Sequence, residues 1–98
     1  MDIEINKNIT IEEYKVNPSL KIVTVQELNK YLLLDNNTIS LLGFFNKKTT
    51  LEELYNKYIE REKEVTIESL KEIVIKLTQM GVLNIKGIKR KEFKKLQL

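Results

Sequence analysis

Cysteine and histidine are both absent from these 98 residues. Their absence removes disulfides, iron–sulfur ligation, the usual zinc ligand sets, a cysteine nucleophile and any histidine-based triad or general base. Tryptophan is also missing, and there is one proline and only three glycines. Strong backbone breaks are therefore few, and each marks a boundary. No apolar run approaches the ~18 to 20 residues of a membrane span, and the opening MDIEINKN carries acids where a secretory signal would carry a basic segment. Composition leads us to expect a cytoplasmic, soluble, single-domain protein without metal, cofactor or catalytic site.

Charge is unevenly distributed. Of the 17 basic and 14 acidic residues that give a net charge of +3, residues 1–85 hold 11 and 13, net −2, whereas residues 86–98 (KGIKRKEFKKLQL) hold 6 and 1, net +5. The basic character belongs to a tail, which divides the chain into an N-terminal arm (1–11), a domain (12–85) and a basic C-terminal tail (86–98).

Within the domain, three strand-like runs come first: Glu12 to Val16, KIVTVQ (21–26) and YLLL (31–34). Asn17-Pro18-Ser19 separates the first two, because proline fixes its φ, lacks an N–H and forces Asn17 to be extended. ELNK (27–30) turns the chain between the second and third, so the three are expected to form an antiparallel meander. The period then changes. Asn36 or Asn37 can cap a helix carrying Ile39, Leu42 and Phe45, in which Gly43 would leave room for close packing. Thr50-Leu51-Glu52-Glu53 has the form of a capping box before Leu54, Tyr55, Tyr58 and Ile59. Thr66 caps a third helix with Ile67, Leu70, Ile73, Val74, Leu77 and Met80 on its core arc; Gly81 is placed to end it, and Val82, Leu83 and Ile85 form a short last strand. The expected fold is α+β: a winged helix-turn-helix with an N-terminal three-stranded antiparallel sheet and three helices. In the arm, Ile3, Ile5, Ile9 and Ile11 alternate, which fits either a strand that adds to a sheet or a strand-prone terminus.

YLLLDNNT (31–38) is unusual for a half-buried strand, which should alternate polar and apolar residues. Its four apolar positions leave one face to be covered by something, and edge strands are normally defended by lysine, proline or bulges. Here only Lys30, at the start, interrupts it.

The blocks YKVNPSLKIVTV, LLLDNNT, FFNKKTTLEEL and IESLKEIVIKLTQMGVLNI, in this order and spacing, resemble the PqqD-like family, the peptide-recognition elements of ribosomal peptide natural-product pathways. The resemblance spans Tyr14 to Ile85 and departs from the family at Asn46-Lys47-Lys48, where a glycine is usual. It implies a non-catalytic adaptor that holds the leader segment of a precursor peptide while a modifying enzyme acts on the core segment. That enzyme could be a radical SAM enzyme, a cyclodehydratase or a leader protease. It further implies that the leader adds as a strand beside the third strand and enters a cleft facing the third helix. On this sequence the pairing edge is Lys30, Tyr31, Leu32, Leu33 and Leu34, and the opposing wall is Lys71, Val74, Ile75 and Thr78. Leu32 and Leu34 are expected to face the core and Leu33 to face outward.

Two other readings remain open. A winged helix can read DNA with its third helix, but Thr66 to Met80 carries Lys71 and Lys76 against Glu68 and Glu72, too balanced for phosphate neutralisation. Alternatively, the edge strand or the isoleucine-rich arm could pair two copies as a dimerisation module. Glu52 and Glu53 look like a carboxylate pair for acid–base chemistry, but acids in a helix's first turn suit its dipole without any chemistry.

Overall fold

A computed structural model describes residues 2–61 and 64–86. The chain is α+β, with strands β1 (Ile3–Ile5), β2 (Ile9–Glu13), β3 (Leu20–Val25) and β4 (Lys30–Asp35), helices α1 (Asn36–Leu42), α2 (Leu51–Tyr58) and α3 (Ile67–Gln79), and strand β5 (Leu83–Ile85). Short 3₁₀ turns, Gln26–Leu28 and Gly43–Phe45, follow β3 and α1.

The meander forms, as an antiparallel sheet in the order β2-β3-β4. Its first strand lies earlier than the sequence suggested, at Ile9–Glu13 instead of Glu12 to Val16. Val16 and Pro18 are exposed in a turn where Asn17 N–H bonds Tyr14 O and Leu20 N–H bonds Asn17 O. Residues read as an arm thus contribute three of the five residues of β2, and β1 forms a second sheet with β5, Ile3 opposite Ile85 and Ile5 opposite Leu83. On its other side, Ile3 exchanges both backbone hydrogen bonds with Thr49 (2.9 and 2.8 Å). Both edges of β1 are therefore occupied at Ile3. Of the basic tail, only Lys86 lies within the described residues.

Helix boundaries follow local chemistry. Asp35, not Asn36 or Asn37, caps α1, its carboxylate accepting from Thr38 N–H at 2.7 Å. An aspartate one residue before the helix has the extended backbone an N-cap needs. Thr50 caps α2 by accepting from Glu53 N–H, but the reciprocal capping box forms on α3, between Thr66 and Ser69. Gly81, at φ 89°, ends α3 in a Schellman arrangement: its N–H bonds Thr78 O, and Val82 N–H bonds Leu77 O. Gly43 has a helical φ of −60° and nothing within 4 Å of the position a Cβ would take, so it serves no close packing.

The core joins both sheets to the helices: Val23 and Val25 of β3, Leu41 and Leu42 of α1, Phe45, Leu54 of α2, Leu70, Val74 and Leu77 of α3, and Ile3, Val82, Leu83 and Ile85. Its arc on α3 differs from the hydropathy pattern. Ile73 and Met80 are exposed, and Thr78 is buried in their stead. Thr78 tolerates burial because its hydroxyl donates to the Val74 carbonyl one turn back, at 2.8 Å.

Candidate functional site

The site builds from the backbone of the meander. In an antiparallel sheet each residue's N–H and C=O point to the same side, and successive residues point to opposite sides. Gln26 N–H bonds Asn8 O, which extends the β2–β3 register by one pair beyond Ile9 and Val25. Even-numbered residues of β3 therefore turn their backbone groups toward β2, and Val25, Val23 and Lys21 turn theirs toward β4. Their partners are Lys30, Leu32 and Leu34. Tyr31 and Leu33 consequently direct their N–H and C=O groups outward, along an edge to which no strand is paired among the described residues.

Side-chain direction obeys the same alternation. Leu32 and Leu34 are half-buried and pack on the core, whereas Leu33 is 41% and Tyr31 75% exposed on the opposite face. The strand that carried one apolar face too many leaves that face in solvent. Lys30 and Asp35 bracket it, both exposed. The Asp35 carboxyl is held below the usual carboxylate range, chiefly by the backbone N–H and side chain of Thr38. The other edge of the sheet, β2, is mostly exposed and carries Glu12 and Glu13, the latter in an ion pair with Lys21 at 2.8 Å. Of this sheet's two edges, only β4 is free of charge along its middle, and among the described residues nothing pairs with it.

The expected wall on α3 is only partly presented. Val74 and Thr78 are each 3% exposed and belong to the interior, Ile75 is half-buried against the core, and Lys71 is exposed. The main neighbours of α3 are α2 and β5, while α1 packs on β4 and β3. An open recess of about 360 Å³ is lined by Asn37 of α1, two residues past the end of β4, by Tyr58 of α2, by Glu64 and Val65 just before α3, and by Leu70 and Ile73 within it. Ile73 reaches this recess because it sits at the margin of the buried arc. Val65 and Leu70 occupy the N′ and N4 positions of a hydrophobic staple, a signal legible in the sequence once Thr66 is taken as the cap. Beside Tyr58, the ring of Phe44 lies edge-on at 6.2 Å and carries the Arg61 guanidinium 5.3 Å above it.

Glu52 and Glu53 are exposed in the first turn of α2, as helix-dipole acids should be. Among the described residues, no group of three or more acidic side chains could hold a metal ion, and no helix is long and apolar enough to cross a membrane. No protein-family model matches the chain, and comparison with curated proteins finds no match.

Proposed function

We propose that this protein is a non-catalytic, cytoplasmic adaptor that captures the leader segment of a ribosomally made precursor peptide by strand addition to β4 and delivers it to a modifying enzyme. The observation that carries this reading is the outward-facing N–H and C=O groups of Tyr31 and Leu33, on an edge uncharged between Lys30 and Asp35 and unpaired among the described residues. Such an edge is a liability unless an extended chain is meant to bind there, and backbone pairing with selective pockets is an established mode of peptide recognition. An open recess lined by Asn37, two residues past β4, and by Val65 and Ile73 offers a pocket for a side chain of the bound peptide. Three helices followed by β5, itself paired with β1, fit a winged helix-turn-helix reused for peptides. The outer side of α3 alternates Glu68, Lys71, Glu72 and Lys76, all exposed, which argues against use of that helix on DNA.

The test is fluorescence anisotropy with labelled N-terminal halves of short peptides encoded beside this chain, at low and high salt. Binding through β4 should change little with salt. Leu33→Pro removes an N–H that faces the open edge and no β3–β4 hydrogen bond, so it should leave the fold standing and abolish binding. Full binding by a folded Leu33→Pro variant overturns the reading, and so does steep loss of binding with salt.

A further inference from the structure

Along the middle of β4 the sheet's outer face grows less polar toward that strand, up to the pair of Leu20 with the exposed Asp35 that bounds it. Reading across paired residues from β2 through β3 to β4, one row is Glu12, Ile22, Leu33 and the next is Thr10, Thr24, Tyr31. Charge and hydroxyls lie on the β2 side; the exposed leucine and tyrosine lie at the β4 edge. The outer face of an antiparallel sheet is ordinarily polar throughout. A layer covering the whole face would need apolar residues on β2 as well, and β2 there carries Thr10 and Glu12. An occupant arriving from the β4 edge needs them only on β4.

The residues that point outward are also the residues whose backbone groups pair with no strand among the described residues. A strand hydrogen-bonded to Tyr31 and Leu33 sets the side chains opposite those two on the same outer face, at cross-strand contact distance. Its intervening side chains fall on the inner face, beside Leu32 and Leu34. We infer that Tyr31 and Leu33, backed by Ile22, form a second recognition surface, so that the bound peptide is read on both faces and carries apolar or aromatic side chains at successive positions. A ligand with the usual alternation would leave Tyr31 and Leu33 exposed to water and forgo half of the available contacts.

This inference rests on strand addition to β4, and the test separates the two. The full chain, immobilised, selects from a library of capped ten-residue peptides that is random at eight central positions; the Tyr31→Thr/Leu33→Thr double variant selects from the same library. Threonine keeps strand propensity, and a matching amide NMR spectrum establishes that the variant is folded. The wild-type chain should enrich peptides with apolar residues at three or more successive positions, and the variant should lose the preference on one parity only. For a selected peptide, each threonine substitution alone should weaken binding about two- to fivefold, the range of a single cross-strand pair. Enrichment of strictly alternating peptides, equal in wild type and variant, overturns this inference and leaves strand addition intact. No enrichment, together with a micromolar dimer by light scattering, means that β4 pairs with a second copy of the chain, and both fall.

Discussion

The side chain of Asn6 donates to the carbonyl of Gly81, 2.9 Å away and 75 positions later in the chain. Asn6 is 4% exposed. The same amide nitrogen donates to Glu27, and its oxygen accepts from Asn8 N–H, each at 2.9 Å. One buried side chain thus ties the turn between β1 and β2 to the 3₁₀ turn after β3 and to the end of α3. With β1 held against β5 and Thr49, the isoleucine-rich N-terminus is committed away from the β4 edge. Asn6→Ala should cost about 1–3 kcal/mol, because it strips a buried carbonyl of its partner. Urea denaturation reads the loss; a change below about 0.5 kcal/mol would show that the network is ornamental.

Amide exchange tests the backbone directions of β4 directly. Leu32 and Leu34 donate toward β3, so their N–H groups should be protected, whereas those of Tyr31 and Leu33 should exchange near intrinsic rates. A bound strand should reverse the behaviour of the second pair alone. Protection of Tyr31 and Leu33 in the free chain would mean that their edge is already paired.

Neighbouring leucines in β4 should differ in stability. Leu34→Ala removes side-chain contacts with the core and should cost about 2 kcal/mol, while Leu33→Ala should stay within about 0.5 kcal/mol. Equal effects in thermal melts would require the opposite face assignment.

Asp35 links the strand to α1 through charge. Its carboxyl is held low in the folded chain by Thr38, so the unfolded state binds its proton more readily. Its contribution is therefore present above the ordinary carboxylate range and lost as pH falls through the depressed folded value. Asp35→Ala should cost about 1 kcal/mol at neutral pH. Asp35→Asn should retain most of the cap while flattening acid sensitivity. Chemical denaturation at neutral and acidic pH, on both variants, checks the sign.

Two glycines should respond in opposite directions to alanine. Gly43 has a helical backbone and open space where a Cβ would sit, so Gly43→Ala should add about 0.4–1 kcal/mol. Gly81 holds φ 89°, where a Cβ crowds the backbone, and Gly81→Ala should cost at least about 1 kcal/mol.

What the sequence by itself determined is what neighbouring residues decide within a turn or a strand. Thr50 and Thr66 as caps and Gly81 as the end of α3 follow from local chemistry, and all are present. YLLL has no alternation to read, so the inward Leu32 and Leu34 and the outward Leu33, though as expected, are decided by the register of β4 on β3. Shifting the first strand to Ile9–Glu13 and the first cap to Asp35 moved boundaries, where several residues have comparable propensity. Only the tertiary structure decided where β1 goes. Alternating Ile3 and Ile5 would suit any free edge, and pairing with β5, at the far end of the domain, leaves no local signature. It also decided which residues of α3 reach the surface. Hydropathy ranks Ile73 and Met80 above Thr78, but a threonine that bonds its own helix can be buried, and the helix's rotation is set by everything packed around it. The wall read as Lys71, Val74, Ile75 and Thr78 loses Val74 and Thr78 to the core for that reason, while Ile73 lines the recess it shares with Asn37 and Tyr58.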